Sequence, residues 1–227
     1  MKDGNLVLPE QSKTRTRIWS TNLASSLASS TIAMLLDNGN FVLRDTNSSI
    51  IWQSFDHPTD AWLLGGKVGY NKLRNEKQVL TSWRSSEDPA ASLFSFEVQP
   101  NPSNIMLCNG SNLYWNTGLW DGKVFSLVPE IALDYYIKKV THVSNENESY
   151  FTYESSIPNV LTRFVLDVTG HLKQFLWEKD FPTWSLFWVR PPQQCKVYTF
   201  CGAFSSCNQN VPICACIEGF ELKTLAD

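Results

Sequence analysis

Short alternating runs of apolar and polar residues dominate this chain, and their period is two rather than 3.6. Examples are NLVL, NFVLR, SFEVQ, RFVLDV and HLKQFLW, which are bounded by Gly, Asn, Pro or Ser. Alternation of this kind is typical of β-strands with one buried face. Only VPEIALDYYIKKV is compatible with a short helix, and its β-branched and aromatic residues disfavour that state. The pattern predicts an all-β protein.

One motif occurs twice within the first sixty residues. Gly-Asn, an alternating apolar run, a loop and then Ile-Trp extend from Gly4 to Trp19 and again from Gly39 to Trp52. The repeat length is about 35 residues, which indicates one supersecondary unit built more than once. We expect each copy to form a hairpin-like sheet whose Trp packs at a shared centre, because a large aromatic residue at one fixed place per copy fills a common core.

Composition and charge exclude several classes of protein. Of the 227 residues, 43% are hydrophobic, which is enough for packed cores in one large or two smaller units. The formal net charge of -3 provides no basic stripe, so we expect no nucleic-acid partner. The sequence contains no run of eighteen apolar residues, so no membrane span is predicted. Met1 is followed by charged and polar residues, so no signal peptide is predicted, and the chain is either intracellular or a piece of a longer protein.

Five of the six cysteines lie between Cys195 and Cys216, with the spacing C-x5-C-x5-C-x6-C-x-C. Dense cysteines among Gly and Asn turns indicate a disulfide framework formed in an oxidising compartment. A zinc site is the alternative, but paired C-x2-C spacing is absent and no His follows His171. We therefore expect no metal and no cofactor. Spacing alone leaves the disulfide pairing open.

Three Asn-x-Ser sequons in polar, turn-like contexts predict N-glycosylation at Asn47, Asn109 and Asn147. Three sequons together with the cysteine cluster favour the secretory pathway. No histidine lies in a nucleophile motif such as G-x-S-x-G, and neither a kinase glycine-rich loop nor an H-R-D motif is present. We therefore expect no catalytic residues and no enzymatic activity in this chain.

The repeated G-N-L-V-L motif resembles that of the bulb-type mannose-binding lectins, whose β-prism contains three such sheets. WQSFDHPTD (52–60), LTSWRSSEDP (80–89) and YWNTGLWDGKVFSLVPE (114–130) resemble the S-locus glycoprotein region. The cysteine run resembles the epidermal-growth-factor-like (EGF-like) module that follows it in that family. These matches cover nearly the whole chain in the family's order. The chain is thus similar to the extracellular region of plant G-type lectin S-receptor-like serine/threonine-protein kinases.

The resemblance implies a domain organisation. It consists of a partial bulb-type lectin domain that lacks its first sheet (1–62), a connecting segment (63–85), an S-locus or second lectin-like β domain (86–190) and a truncated EGF-like module (191–227). Weaker echoes of the repeat at 108–120 and 167–177 agree with a second lectin-like body. In the EGF-like module the family's pairing joins Cys195 to Cys207 and Cys201 to Cys214, and leaves Cys216 for a partner beyond the chain end.

The mannose site of these relatives has the pattern Q-x-D-x-N-x-V-x-Y, which places amide, carboxylate and phenol groups on one strand face. Its positions correspond here to Leu36, Asn38, Asn40, Val42 and Arg44 in the second copy, and to Met1, Asp3, Asn5, Val7 and Pro9 in the first. The candidate carbohydrate-binding residues are therefore Asp3, Asn5, Val7, Asn38, Asn40 and Val42. Each lost polar anchor removes about 1 to 3 kcal/mol, so we expect degenerate sites without reliable mannose binding. Alternatively, Asn5 and Asn40 merely serve the turn and strand edge.

The function implied by the resemblance is extracellular recognition, at the outer face of the plasma membrane or in secreted form. The ligand is a peptide, a glycan or a partner receptor, and receptor homo- or heterodimers are expected; S-locus relatives bind pollen-derived peptides. One alternative is a truncated soluble decoy or a nonfunctional fragment. A remote alternative is a secreted carbohydrate-active enzyme, which requires paired acidic residues facing a cleft. Acidic pairs such as Glu87-Asp88 are turn-like instead.

Overall fold

The computed structural model describes residues 4–10, 17–23, 31–98, 105–157 and 160–221. Within these residues the chain forms β-strands, turns and short 3-10 helices at Ser54–Asp56, Pro129–Leu133 and Gln194–Lys196, and it has no α-helix. The all-β prediction is confirmed. VPEIALDYYIKKV is a 3-10 turn followed by the start of a strand rather than a helix. In this part of the chain no helix is long and apolar enough to cross a membrane.

The chain divides into two compact units, residues 1–57 (unit 1) and residues 58–227 (unit 2). Unit 1 contains two small antiparallel sheets. In one of them β1 (Val7–Pro9) pairs with β2 (Arg17–Ser20). In the other, β4 lies between β3 and β5, and these strands are Ile32–Leu35 (β3), Phe41–Arg44 (β4) and Ile50–Gln53 (β5).

The two copies of the repeat in unit 1 have equivalent registers. Trp19 of β2 lies opposite Leu8, and Trp52 of β5 lies opposite Leu43. The rings of Trp19 and Trp52 meet edge to face with their centroids 6.0 Å apart, an arrangement that the aromatic quadrupole favours. The two tryptophans therefore occupy equivalent places and contact each other, with Trp19 44% exposed and Trp52 half-buried.

Unit 2 contains three four-stranded antiparallel sheets. The first has the order β12-β11-β10-β9 and consists of Leu80–Trp83 (β9), Ala91–Val98 (β10), Ile105–Asn109 (β11) and Asn112–Asn116 (β12). The second has the order β13-β14-β7-β8 and consists of Val68–Asn71 (β7), Glu76–Gln78 (β8), Ile137–Ser144 (β13) and Glu148–Ser155 (β14). The third has the order β17-β16-β15-β6 and consists of Ala61–Leu63 (β6), Val160–Leu166 (β15), Leu172–Glu178 (β16) and Phe181–Arg190 (β17).

Residues 63–85, for which the resemblance implied a connecting segment, contribute β7, β8 and β9 to these sheets. The three sheets share one hydrophobic core. Leu80 and Phe96 enter it from the first sheet, and Val68 and Phe151 enter it from the second. The arrangement of three sheets around one core is that of a β-prism.

Trp62 of β6 lies where the three sheets of unit 2 meet. Its ring centroid is 6.2 Å from that of Phe96 in the first sheet, 4.9 Å from that of Tyr153 in the second and 5.7 Å from that of Phe164 in the third. The indole Nε1 donates a hydrogen bond of 2.9 Å to the carbonyl of Gly66. The buried ring therefore has its one polar atom satisfied, so its burial carries no unpaired donor.

Tyr153 connects the second sheet to the third. Its side chain is 1% exposed, and its hydroxyl lies 3.1 Å from the carbonyl oxygens of both Trp62 and Thr162. Burial raises the pKa of the Tyr153 phenol well above its ordinary value. The hydroxyl therefore stays protonated and donates to the backbone of β6 and β15.

The C-terminal part of unit 2 is a small disulfide-rich module. Its hairpin pairs β18 (Ser205–Cys207) with β19 (Cys214–Cys216). Disulfides join Cys195 to Cys207 and Cys201 to Cys214, the two pairs that the resemblance implies. Val197 is the one buried hydrophobic side chain among the described residues 191–221. Because loops of this length closed by a disulfide contribute about 3 kcal/mol each, covalent links stabilise this module more than a core does.

Replacement of Tyr153 by Phe tests the link between the second and third sheets. We expect Tyr153→Phe to lower the free energy of unfolding by about 1 to 3 kcal/mol, because the buried carbonyl oxygens lose their shared donor. Urea denaturation followed by tryptophan fluorescence measures this change. The matched control is Tyr135→Phe, whose ring is 74% exposed and whose effect should stay within about 0.5 kcal/mol. Equal losses in the two variants would contradict the role assigned to Tyr153.

Candidate functional site

The candidate sugar-binding face of the second copy consists of β4 and the turn that precedes it. Gly39 in this turn has a φ of 85°, which glycine adopts without steric cost. The exposed Asn38 accepts a hydrogen bond from the backbone N–H of Asn40 through its Oδ1 at 3.0 Å. Asn38 therefore shapes the turn in the manner of an Asx-turn.

Asn40 is 5% exposed, and its side-chain amide is bound inside unit 1. Its Nδ2 donates to Gln53 Oε1 at 2.9 Å, and its Oδ1 accepts from Ser54 Oγ at 3.2 Å and from the backbone N–H of Phe55 at 3.3 Å. An asparagine amide has two donor hydrogens and two acceptor lone pairs. Three of these four positions are occupied by the protein, so Asn40 joins β4 to the segment that follows β5.

The other positions on this face differ from the mannose-binding pattern in residue type or are buried. Val42 is completely buried, so its methyl groups are not available to the carbons of a sugar ring. Leu36 replaces an amide with an alkyl group, and Arg44 replaces a phenol with a guanidinium. The Nε of Arg44 is buried and makes no hydrogen bond within the described residues. The face is therefore mostly apolar or internally satisfied.

The first copy repeats the same hydrogen bonds around Asn5. Its Oδ1 accepts from Thr21 Oγ1 at 3.0 Å and from the backbone N–H of Leu23 at 2.6 Å. Its Nδ2 lies 3.5 Å from the carbonyl of Leu23. Val7 is half-buried in β1, and Asp3 lies outside the described residues. The reading of Asn5 and Asn40 as residues of the turn and strand edge thus agrees with their contacts.

Two hydroxyl residues complete these hydrogen-bond networks and were not anticipated from the sequence. Thr21 Oγ1 accepts the backbone N–H of Leu6 at 3.2 Å, and Ser54 Oγ accepts that of Phe41 at 2.9 Å. Each hydroxyl follows the repeated tryptophan by two positions, in IWST and IWQS. A Ser or Thr two positions after each repeated tryptophan is the sequence feature from which these hydrogen bonds could have been predicted.

The three sequons lie at hairpin turns. Asn47 is exposed between β4 and β5, where its N–H donates to Asp45 Oδ1 at 2.9 Å. Asn147 is exposed between β13 and β14, and its N–H donates to Asn145 Oδ1 at 2.8 Å. Asn109 is half-buried at the end of β11. Exposed turns of this kind are accessible to a bulky glycan.

The cysteines that form no disulfide are Cys108 and Cys216. Burial, followed by the carboxylate of Glu97, raises the pKa of the Cys108 thiol to about 11. Because the thiolate is the reactive form, Cys108 is an inert core residue at neutral pH. Cys216 is half-buried on β19.

The three histidines are held by rings or hydroxyl groups. The ring of His57 stacks on Trp52 with centroids 5.3 Å apart. His142 Nε2 lies 3.1 Å from Ser149 Oγ, and His171 Nδ1 lies 2.8 Å from Thr169 Oγ1, and these are short-range contacts within or beside single hairpins. Burial lowers the pKa of His142 and of His171. Across the described ranges, no three His, Cys, Asp or Glu side chains are grouped so as to hold a metal ion.

Comparison with known proteins identifies two domains in this chain. The family model described as D-mannose binding lectin matches residues 1–84, and the model described as S-locus glycoprotein domain matches residues 115–224. The match to the D-mannose binding lectin model extends past the division between the two units and includes β6 to β9 of unit 2.

Individual relatives match along nearly the whole chain. A G-type lectin S-receptor-like serine/threonine-protein kinase of Arabidopsis thaliana is 45% identical over 237 residues, which cover 100% of this chain and 28% of the relative. A receptor-like serine/threonine-protein kinase of the same species is 36% identical, and the match covers 97% of this chain and 26% of the relative. An S-locus-specific glycoprotein of Brassica oleracea var. alboglabra is 37% identical, and the match covers 96% of this chain and 51% of the relative.

The chain thus spans about a quarter to about half of the length of these relatives. The matched region includes the repeat with its two tryptophans and most of unit 2. The chain therefore belongs to the plant family of G-type lectin S-receptor-like serine/threonine-protein kinases and S-locus-specific glycoproteins, and it contains the lectin and S-locus glycoprotein domains of that family.

Proposed function

We propose that this chain is the extracellular ligand-recognition region of a receptor-like kinase of the S-locus type, and that it catalyses no reaction itself. Its place is the outer face of the plasma membrane or the secreted fraction. The family membership supports this, because the matched relatives include receptor-like kinases and S-locus-specific glycoproteins. The two disulfides agree with an oxidising compartment.

The observation that carries the proposal is the internal use of the Asn40 amide. Its bonds to Gln53, Ser54 and Phe55 preserve the lectin framework, while the neighbouring positions no longer present the sugar-binding groups. The proposed function is therefore recognition by loops and sheet surfaces on a lectin scaffold with degenerate mannose sites.

The proposed ligand is a peptide, a glycan or a partner receptor, with receptor dimers as one form of the last. Exposed aromatic residues of unit 2 support this role. The ring of Tyr136 lies 5.6 Å from that of Tyr135 and 5.1 Å from that of Phe187. Tyr135 is 74% and Phe187 is 48% exposed. Aromatic residues are enriched at the centres of protein interfaces, where they supply large contact areas.

Chromatography on immobilised mannose tests the degenerate sites. We expect the full chain to pass through the column, because Leu36 and Arg44 replace two polar anchors and Val42 is buried. A mannose-binding bulb lectin run on the same column serves as the positive control. Retention of the chain followed by specific elution with free mannose would show that this part of the proposal is wrong.

The structural role of Asn40 is tested by Asn40→Asp. This change removes the donor to Gln53 and places a carboxylate in a buried position, so we expect unit 1 to lose about 1 to 3 kcal/mol of unfolding free energy. The control is Asn38→Asp, which keeps the acceptor for the Asn40 N–H at an exposed site. Urea denaturation of both variants measures the difference. Unchanged stability of Asn40→Asp would refute the assignment.

Glycosylation tests the three predicted sites in the extracellular setting. After expression in plant cells behind a secretory signal peptide, we expect endoglycosidase treatment to lower the apparent mass of the chain. Asn47→Gln and Asn147→Gln should each remove one step of that shift, because both turns are exposed, and Asn109→Gln should remove a third. The wild-type chain treated in parallel is the reference. A secreted chain without any endoglycosidase-sensitive glycan would contradict the predicted glycosylation sites.

A further inference from the structure

A cavity of about 320 Å³ opens beside β13 in unit 2. Its apolar wall includes Ile131, Ile137 and Val140, and its rim includes Lys123, Lys138 and Lys139. Pockets for small molecules start at about 300 Å³ and combine apolar walls with a few polar groups. The cavity is therefore large enough for a small ligand, and none of its lining residues belongs to the candidate sugar-binding face of unit 1.

A β-bulge in β13 creates the contrast between the wall and the rim. The register of β13 against β14 shifts between Ile137 and Lys139, so Lys138 is the extra residue. Ile137 and Val140 are both buried, whereas the two lysines between them are exposed. Regular alternation would place Lys139 on the face of Ile137. The bulge instead keeps two consecutive ammonium groups outside an apolar wall, and bulges often redirect side chains beside functional sites.

The third lysine of the rim lies on a loop that is ordered by its own hydrogen bonds. The carboxylate of Asp121 accepts the backbone N–H groups of Lys123 and Val124, each at 2.8 Å. The bonds from Val124 and from Lys123 lower the pKa of Asp121. A bridge between Trp120 and Phe125 closes the loop. Lys123 therefore lies on a turn that is held by internal hydrogen bonds.

The charges at the rim are only partly compensated. Lys138 Nζ lies 3.4 Å from Glu154 Oε2, and both side chains are more than half exposed. Within the described parts of the chain, neither Lys123 nor Lys139 forms an ion pair with a carboxylate. Two cationic groups at the mouth of an apolar cavity attract an anion whose remaining atoms are apolar.

We propose that this cavity binds a small organic carboxylate with an apolar body. The carboxylate pairs with the ammonium groups of Lys123 and Lys139, and the body packs on Ile131, Ile137 and Val140. The proposal rests on these residues alone and goes beyond the proposed recognition function, because it assigns a ligand class to a cavity of unit 2. The competing explanation is that lysines on the edge strand β13 only prevent pairing with other chains.

Calorimetric titration of the full chain with 4-phenylbutyrate and with its neutral amide, 4-phenylbutanamide, tests the proposal. We expect the acid to bind about tenfold more tightly than the amide, which corresponds to about 1.4 kcal/mol of charge-dependent binding. Added salt should weaken binding of the acid and leave the amide unchanged. Equal affinity for the acid and the amide, or no saturable binding of the acid, would overturn the proposal.

Variants of the rim locate the site. We expect Lys123→Glu and Lys139→Glu each to weaken binding of the acid about tenfold or more, because a cation becomes an anion at the mouth. Lys179→Glu is the matched control: it makes the same charge change at the exposed turn between β16 and β17, and its affinity should stay within about twofold of wild type. Wild-type affinity in both rim variants would also overturn the proposal.

The two rim variants protect the test against a folding defect. Lys139 lies in β13 and Lys123 lies in a loop, so a loss of structure in one leaves the other informative, and the melting temperature of each is measured alongside. The outcome is also separable from the proposed function. Failure to bind the acid leaves the results for glycosylation and mannose retention unchanged, and failure of those tests leaves the titration unchanged.

Discussion

The packing of Trp62 against one ring from each of three sheets is the contact on which unit 2 depends. The apolar faces of the three sheets meet at the Trp62 indole, whose ring contacts one aromatic ring from each sheet. The bond from Nε1 to Gly66 removes the cost of burying the indole and fixes the turn after β6. A Cβ on Gly66 would lie 3.0 Å from the carbonyl of Leu63, so this turn is compact at the point where the ring is anchored.

This centre explains why the first strands of unit 2 are divided among all three sheets. β6 forms one edge of the third sheet, β8 one edge of the second and β9 one edge of the first. The partners of β6 and β7 come from much later in the chain, as in the pairing of Trp62 with Phe164, whereas β8 and β9 pair with the adjacent strands β7 and β10. Once the sheets close around Trp62, the hairpin turns lie outside the core and are available for recognition.

Local patterns in the sequence predicted what local interactions determine. Alternation identified the strands, and the repeated Gly-Asn and Ile-Trp identified two hairpins with equivalent registers. The strand β7, within residues 63–85, was not foreseen because its partner is distant: Gly69 pairs with Tyr150, and a Cβ on Gly69 would lie 2.2 Å from Ser149 O. The bulge at Lys138 was equally invisible, because it is defined by the register with β14 and not by residue type. Of the candidate sugar site, the sequence indicated the positions but not the internal bonds of their amides.

The asparagines of the repeat show how a binding pattern and a folding pattern share the same residues. Asn5 accepts hydrogen bonds from the Thr21 hydroxyl and from the backbone N–H of Leu23. Asn40 accepts them from the Ser54 hydroxyl and from the backbone N–H of Phe55. Each asparagine therefore fixes the end of its hairpin. The loss of these bonds would leave buried polar groups unpaired. The framework therefore requires the asparagine even where the adjacent polar positions have changed. The contacts of Trp62 and Tyr153 in unit 2 and of these amides in unit 1 are internal to the sheets, so the loops between the strands can vary without breaking them.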